Sequence, residues 1–305
     1  MRTSFFKIIE ERAQADQNVF LLTADLGFKL FDSFKFRYPE RFFDIGVAEA
    51  NMIGIAAGLS LSGKNVYCYS ITPFLVMRAY EQIRLDIAYH NLNVKLVGVG
   101  GGFTYGLEGF THFGIEDLSL MRSLPNMSVV APADRKEAEQ LARISLTYPS
   151  PLYIRLGRTG EPVIHSGTPD FKIGKGIFLS EGKDVAIFSI GNMVYQSQLA
   201  IELLREKGLS PTLVNMHTLK PLDLDLIKDI SARHQAIFSV EEHSIHGGLG
   251  SALAEVLLQN SYRGRFHIIG IPEKPENLIG TAEYLREKHG LSPRKIADCV
   301  LHQLK

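Results

Sequence analysis

Short, nearly continuous apolar runs alternate along this chain with segments whose apolar residues recur every three or four positions. VFLLTAD (19–25), NVYCYS (65–70), VKLVGVG (94–100), MSVVAP (127–132) and PLYIRLG (151–157) have the unbroken hydrophobicity of strands buried on both faces. Between them the helical period predicts a first helix, capped by Thr3 or Ser4, that reaches about Ala15. Further helices are predicted from Pro73 to about Asn91, from Ile115 to Leu124, and from Asp134 to about Thr147. Residues 158–175 then hold three glycines and two prolines without period and read as a connection. The alternation resumes with the strands DVAIFSIG (184–191), PTLVNMHTL (211–219), AIFSVEE (236–242) and FHIIGIP (266–272), separated by helical segments. This pattern predicts an α/β chain of two domains, each a mostly parallel sheet flanked by helices. The boundaries fall at 1–160 for the first domain, 161–178 for a linker and 179–305 for a smaller second domain.

One stretch departs from ordinary helix chemistry. FFDIGVAEANMIGIAAGLSLSG (42–63) reads as a short strand, a turn at Gly46 and a helix opening at Ala48, with Ala50, Gly54, Ala56, Ala57, Gly58 and Ser60 inside it. Each glycine costs a helix about 1 kcal/mol relative to alanine, so a helix of this kind is expected where another backbone or a flat ligand comes close. Glu49 stands in its first turn. Complementarity to the helix dipole explains a carboxylate there; so does a chemical role at the helix tip. Other reactive side chains fall at strand ends too: the segment YSITPFLVMR (69–78) with Tyr69, Phe74 and Arg78, the glycine-rich loop GGFTYGLEGFTHFG (101–114) with Glu108 and His112, and the pair Arg155 and Arg158. Ligands of open α/β sheets gather beyond the carboxyl ends of the strands, and all of these share that rim.

Composition narrows the classes. Thirty-three basic side chains balance thirty-three acidic ones, so no global field favours nucleic acid or an anionic membrane. Two cysteines, Cys68 and Cys299, sit in separate apolar runs, which fits a reducing, cytoplasmic compartment better than a disulfide framework. No apolar run approaches the roughly 20 residues of a membrane span, and the amphipathic, acid-bearing N-terminus does not read as a signal peptide. The dinucleotide motif G-x-G-x-x-G, the phosphate-loop motif G-x-x-x-x-G-K-[ST] and the nucleophile elbow G-x-S-x-G are absent, and HSIHGGLG lacks partners at zinc spacing.

Taken together, DIGVAEANMIGIAAGLSLSG, MRAYEQIRLDIAYHNLNVK, GLEGFTHFGIEDLSLMRSLPNMSVVAPAD and VEEHSIHGGLGSALAE resemble the transketolase family, over its pyrimidine-binding and C-terminal domains and nearly the whole of this chain. The resemblance implies thiamine diphosphate as cofactor. The G-D-G…N motif that holds its diphosphate and Mg²⁺ in the family is missing here. A separately encoded N-terminal subunit is therefore implied, carrying that motif in an α2β2 assembly with active sites between subunits. It further implies that Glu49 hydrogen-bonds the aminopyrimidine N1′, that Tyr69 and Phe74 flank that ring with Arg78 nearby, and that His112 contacts donor hydroxyls. A carboxyl among small apolar residues suits sharing a proton with a ring nitrogen. Glu108 falls where relatives carry Asp, and Arg155 and Arg158 are candidate contacts for a substrate phosphate or sulfonate, of which one matches a family phosphate-binding arginine.

Departures from the family pattern bear on the substrate. Deoxyxylulose-phosphate synthases place an arginine near Gly101 and ordinary transketolases a histidine near Gly100; GVGGGF offers neither. The expected activity is transfer of a two-carbon ketol unit from a ketose donor to an aldose acceptor. Competing expectations are the β subunit of a 2-oxo acid dehydrogenase, a deoxyxylulose-phosphate synthase-like enzyme, and a non-catalytic paralogue. His243 and His246, at a strand end before a glycine turn, are open candidates.

Overall fold

The computed structural model of the chain describes residues 1–158, 160–274 and 278–305. Its strands are β1 (Val19–Thr23), β2 (Phe42–Asp44), β3 (Asn65–Ile71), β4 (Val94–Val99), β5 (Ser128–Val130), β6 (Leu152–Leu156), β7 (Ile177–Ser180), β8 (Val185–Ser189), β9 (Pro211–Asn215), β10 (Thr218–Lys220), β11 (Ala236–Ser244) and β12 (Arg265–Ile271). One seven-stranded sheet has the order β10-β5-β6-β4-β3-β1-β2, and a five-stranded sheet the order β12-β11-β8-β9-β7. Strand pairing is parallel throughout except for β10 on β5 and β7 on β9. Every position of β4, β5 and β6 is buried, which is why these segments read as unbroken apolar runs rather than as alternating ones. Leu22, Cys68, Leu96 and Val129 from the first sheet pack in one cluster with Phe188 and Ile237 of the second and with Leu253 of the helix Leu249–Gln259. The two sheets thus share a core.

Two elements differ from the sequence expectation. PTLVNMHTL is not one strand: β9 ends at Asn215, and the chain crosses to the first sheet, where β10 pairs antiparallel with β5. The polar residues at the break are what pull it across. Asn215 donates to the Glu137 carboxylate, and His217 is buried under the stacked ring of Phe171 at 3.9 Å. The crossing also covers a sheet edge that would otherwise leave its N–H and C=O groups unpaired. The helix expected from Pro73 to Asn91 is likewise segmented into Thr72–Arg78, Tyr80–Gln82 and a π-helical stretch Ile83–Tyr89, with Ala79 (φ −110°) off helical geometry.

A polar clamp holds the connecting segment down. Asp134 caps the helix Arg135–Ser145 by accepting from the Glu137 N–H at 2.9 Å, and its other oxygen accepts from the N–H groups of Ile164 and His165 at 2.9 and 3.2 Å. Glu137 reaches back to the Ala133 N–H at 2.8 Å and pairs with His165 Nε2 at 2.6 Å. Burial pushes the Glu137 carboxyl above its ordinary range, with the His165 bond opposing. Burial would pull His165 down, but its bond to Glu137 and that residue's charge lift it above the usual imidazole value. Among the described residues no helix is long and apolar enough to cross a membrane.

Candidate active site

The carboxyl ends of β1, β2, β3, β4 and β6 meet on one rim, and Glu49 stands at its edge. The Asp44 carboxylate at the end of β2 accepts from the N–H groups of Asp25 at 2.9 Å and Gly46 at 3.1 Å. That pins a sharp turn in which Gly46 takes φ +71°, a region that side-chain-bearing residues rarely adopt. The helix Glu49–Leu61 opens immediately afterwards, and its N-cap, Ala48, has no side chain to cap it. Glu49 is 2% exposed; its oxygens face Arg78 NH1 at 3.2 and 3.5 Å and the Ser70 hydroxyl at 3.4 Å. These contacts are long for charge-assisted hydrogen bonds, so the carboxylate keeps acceptor capacity for a further donor.

Ser70 and Tyr69 are neighbours on β3 and therefore project to opposite faces. Ser70 reaches Glu49, whereas the buried Tyr69 ring meets Phe6 at 5.2 Å and Phe31 at 5.0 Å, edge-on in both cases. The structure does not bring Tyr69 beside Glu49: the strand's alternation sends it into the aromatic core behind the sheet. Burial pushes its phenol up to about 12 against the pull of the Arg2 guanidinium.

From Glu49 a continuous strip of contacts runs along the rim. The Arg78 guanidinium lies over the Phe74 ring at 4.3 Å, and Phe74 meets the His112 ring edge-on at 5.0 Å. His112 faces Tyr105 at 6.4 Å, and the Arg158 guanidinium lies 5.4 Å from the Tyr105 ring centroid. His112 Nδ1 is engaged by the Thr111 hydroxyl at 2.9 Å, which leaves Nε2 as the outward nitrogen. Glu108 is exposed and shares with Arg158 the wall of a cavity of about 310 Å³.

Arg155 does not join this strip. It is buried, forms an ion pair with Asp117 at 3.2 Å, and donates to the carbonyls of Gly114 and Glu242. Its side chain also fills the space above Gly101, where any Cβ would collide with it, and the Tyr105 ring does the same at Gly100. This accounts physically for the absence of a histidine or arginine at those positions: Arg155 and Tyr105 occupy the volume. Gly101→Ala is accordingly expected to lose about 1–3 kcal/mol of stability, the usual range for overpacking. Urea denaturation measures it, and an unchanged midpoint would mean the Arg155 side chain gives way freely.

Three residues of the site escaped the sequence reading. Ser70 and Tyr105 carry no signal beyond their place at strand ends. Arg2 does: a cation in the first turn of a helix opposes the helix dipole, so it needs a reason to be there. Its NH1 donates to the Tyr69 hydroxyl at 3.1 Å, while Nε is buried without a hydrogen-bond partner. Burial raises the Tyr105 phenol, and the guanidinium charges of Arg2 and Arg158 both act on it in the opposite direction. Two cations thus converge on one pair of tyrosines, and among the described residues neither has a carboxylate within ion-pair distance. His243 is buried and held by the Ser244 carbonyl at 2.7 Å and the Ser119 N–H at 3.3 Å, and burial pulls it down to about 4. It is a neutral part of the core, and His246 is exposed. Among the described residues no three His, Cys, Asp or Glu side chains are grouped to hold a metal.

The chain matches the family of transketolase pyrimidine-binding domains over residues 1–161 and that of transketolase C-terminal domains over 174–296. It is 35% identical to one of the subunits of the apulose-4-phosphate transketolase of Phocaeicola vulgatus, covering 100% of this chain and 97% of that protein. It is 38% identical to the 6-deoxy-6-sulfo-D-fructose transketolase subunit SqwH of Clostridium sp. (strain MSTE9), over 97% and 92% of the two chains. Among solved structures, a split-gene transketolase described as an inactive beta4 tetramer superposes with a TM-score of 0.89 at 37% identity, over 99% of this chain and 97% of that one. The two sheets, the rim that carries Glu49 and the end-to-end match with these subunits identify the chain as a member of the transketolase family.

Proposed function

We propose that this chain is the C-terminal, or β, subunit of a two-chain transketolase that uses thiamine diphosphate to move a two-carbon ketol unit from a ketose to an aldose. The observation that carries the reading is a buried carboxylate with spare acceptor capacity beside a helix face that this chain leaves uncovered. Gly54 and Gly58 have no heavy atom within 4 Å of the position a Cβ would take, and Val47 at the helix entrance is 68% exposed. Glycines of this kind suit close packing, yet among the described residues of this chain nothing packs on Gly54 or Gly58. A separate N-terminal subunit fits there, and the split relatives are named as subunits. The neighbour described as an inactive beta4 tetramer is the behaviour expected of such a chain alone. We place Mg²⁺ mainly on that partner, the assembly as α2β2, and the pair in the cytoplasm, where free cysteines such as Cys68 stay reduced.

The residues on the rim fit the aminopyrimidine end of the cofactor. Glu49 supplies an acceptor for a ring nitrogen, Phe74 a partly open aromatic face, and Arg78 a cation that keeps Glu49 oriented. When bound, thiamine diphosphate supplies the electron sink needed to break and form a bond next to a carbonyl. This chain's own part is to hold a proton between Glu49 and that ring nitrogen and to present His112 Nε2 to substrate hydroxyls. Glu108 accepts from a further hydroxyl. Arg158, with Arg2 beside it, takes a phosphate or sulfonate; Arg155, committed to Asp117, has no part in that contact.

Co-purification from a source extract tests this. The expected result is a stoichiometric partner carrying G-D-G…N, with ketol transfer appearing only when both chains, thiamine diphosphate and Mg²⁺ are present. Recovery of a 2-oxo acid dehydrogenase α chain, or full activity of this chain alone, would overturn it.

A further inference from the structure

The loop that carries Glu108 and His112 belongs to the first half of the chain by sequence but packs on the second. Its neck is closed by two hydrogen bonds between Gly102 and Gly114, N–H to carbonyl in each direction, at 2.7 and 3.1 Å. Residues 103–113 therefore form one compact excursion between close ends. Phe103, the first residue beyond the neck, is fully buried; its ring lies nearly parallel to that of His289 at 5.1 Å and meets Phe113 edge-on at 5.2 Å. Phe103, Phe113 and Ile115 share a buried cluster with Ile187 and Phe238 of the second sheet and with Leu285 of the helix Ala282–Lys288.

Three further contacts fasten the loop along the same side. The Glu242 carboxylate, held by Arg286 Nε at 2.6 Å, lies so close over Gly102 (φ +65°) that a Cβ there would collide with it. The Gly106 carbonyl accepts from the Gly280 N–H at 3.2 Å, and a Cβ on Gly106 would run into the Gly280 carbonyl and come within 2.7 Å of Leu285. The Ser244 N–H, at the end of β11, donates to the Ile115 carbonyl at 2.8 Å. On the rim side His112 meets the Phe74 ring edge-on, while Leu107 and Phe110 are exposed. A loop with buried rings and backbone bonds on one side and an open face on the other takes its position from the buried side.

We propose that the second domain is the seat of the substrate loop, with Glu242, Gly280 and Leu285 acting on Gly102, Phe103 and Gly106 as positioning residues for His112. The second sheet thereby sets where His112 stands on the rim, although none of these residues touches the reacting atoms. The proposal rests on the transketolase reading only for the contact of His112 with substrate hydroxyls.

Amide hydrogen exchange of the full chain reads the seating without any turnover, and steady-state kinetics of the two-chain enzyme read its consequence. Gly106→Ala sets one methyl group against the Gly280 carbonyl and removes nothing; Leu285→Ala removes the side chain beneath the loop. Each is expected to speed exchange across 103–113 by about tenfold or more, and to raise KM for the ketose by about fivefold with kcat held within about twofold. Leu204→Ala truncates the same buried cluster from the helix Met193–Glu206, away from the loop. It should lower the thermal midpoint as Leu285→Ala does and leave loop exchange and KM as they are. Leu285→Val and Leu204→Val repeat the comparison with smaller cavities should either alanine variant fail to fold. Unchanged loop exchange in Gly106→Ala, or equal effects of the Leu204 and Leu285 changes, would overturn the proposal. So would faster exchange with an unmoved KM in an active two-chain enzyme. Faster exchange in a chain whose assembled pair shows no ketol transfer upholds the seating and removes the transketolase reading instead.

Discussion

Glu49→Ala, assembled with its partner subunit, is expected to lose about 10²–10⁴-fold or more in kcat, the range typical for removing a positioned acid–base group, with little change in folding. The structural half of this expectation follows from the partners of Glu49. Its ion pair is with Arg78, whose side chain is 49% exposed. Truncation therefore leaves a guanidinium that water can solvate rather than a stranded buried charge, and a pair screened in this way is worth at most about 1 kcal/mol. The Ser70 hydroxyl, at 3.4 Å, loses only a weak contact. The catalytic half follows from position: Glu49 is the one carboxylate at the head of the open helix, and Arg78 and Phe74 are arranged around it. Glu49→Gln separates the two halves further, because it keeps the shape and an acceptor oxygen while removing the group that can take up a proton. Steady-state kinetics with saturating ketose, alongside gel filtration to verify assembly, decide the matter. Wild-type turnover in an assembled Glu49→Ala enzyme would remove Glu49 from the chemistry.

Most of the architecture was legible because strands buried on both faces and amphipathic helices leave different periods in a sequence. Parallel sheets, helices on both sides and the break into two halves all followed from those periods. What could not be read was the fate of short polar interruptions. Asn215 and His217 look like ordinary residues of one strand, and only the distant Glu137 and Phe171 explain why the chain changes sheets there. The site divided along the same line. Glu49, Phe74, Arg78, His112 and Arg158 are candidates named from strand ends and family motifs, and the structure sets them along one strip. Tyr69 and Arg155 have the right type and lie close by in sequence, yet strand alternation turns one into the aromatic core, and Asp117 captures the other. Whether a side chain faces the rim or the core depends on the register of a single strand residue, and neighbouring aromatic positions such as Tyr69 and Phe74 give no hint of it.

The capture of Arg155 leads to the second large expected effect. Asp117→Ala should destabilise the chain by about 3–5 kcal/mol, the cost of breaking a buried ion pair from one side. Both partners are buried, with Asp117 fully so. The Asp117 carboxylate also accepts from the Tyr153 hydroxyl at 2.7 Å, whose proton is held well above the ordinary tyrosine range by burial and by the Asp117 charge. Removing the carboxylate strands a guanidinium and a phenol in the same interior. Asp117→Asn should cost less, since an amide oxygen can still accept from Tyr153 while only the charge is lost. Arg155→Met combined with Asp117→Leu should cost less than the sum of the single changes, because no lone charge is left behind. Urea denaturation of the wild type, Asp117→Leu, Arg155→Met and the double variant measures the coupling, alongside Asp117→Ala and Asp117→Asn, and strict additivity would show that the pair is not coupled. The effect should extend to the chemistry. Arg155 ties the Gly114 carbonyl, at the end of the loop that carries His112, to the Glu242 carbonyl of the second sheet, and Glu242 is itself fastened by Arg286. With Asp117 gone, the guanidinium is free to turn away from both carbonyls and the loop loses its anchor. Asp117→Asn, the milder variant, should therefore raise KM more than it lowers kcat if His112 contacts substrate as proposed, since Glu49 is held by other contacts. An Asp117→Asn enzyme with reduced stability and unchanged KM would show that the loop holds its shape without the ion pair.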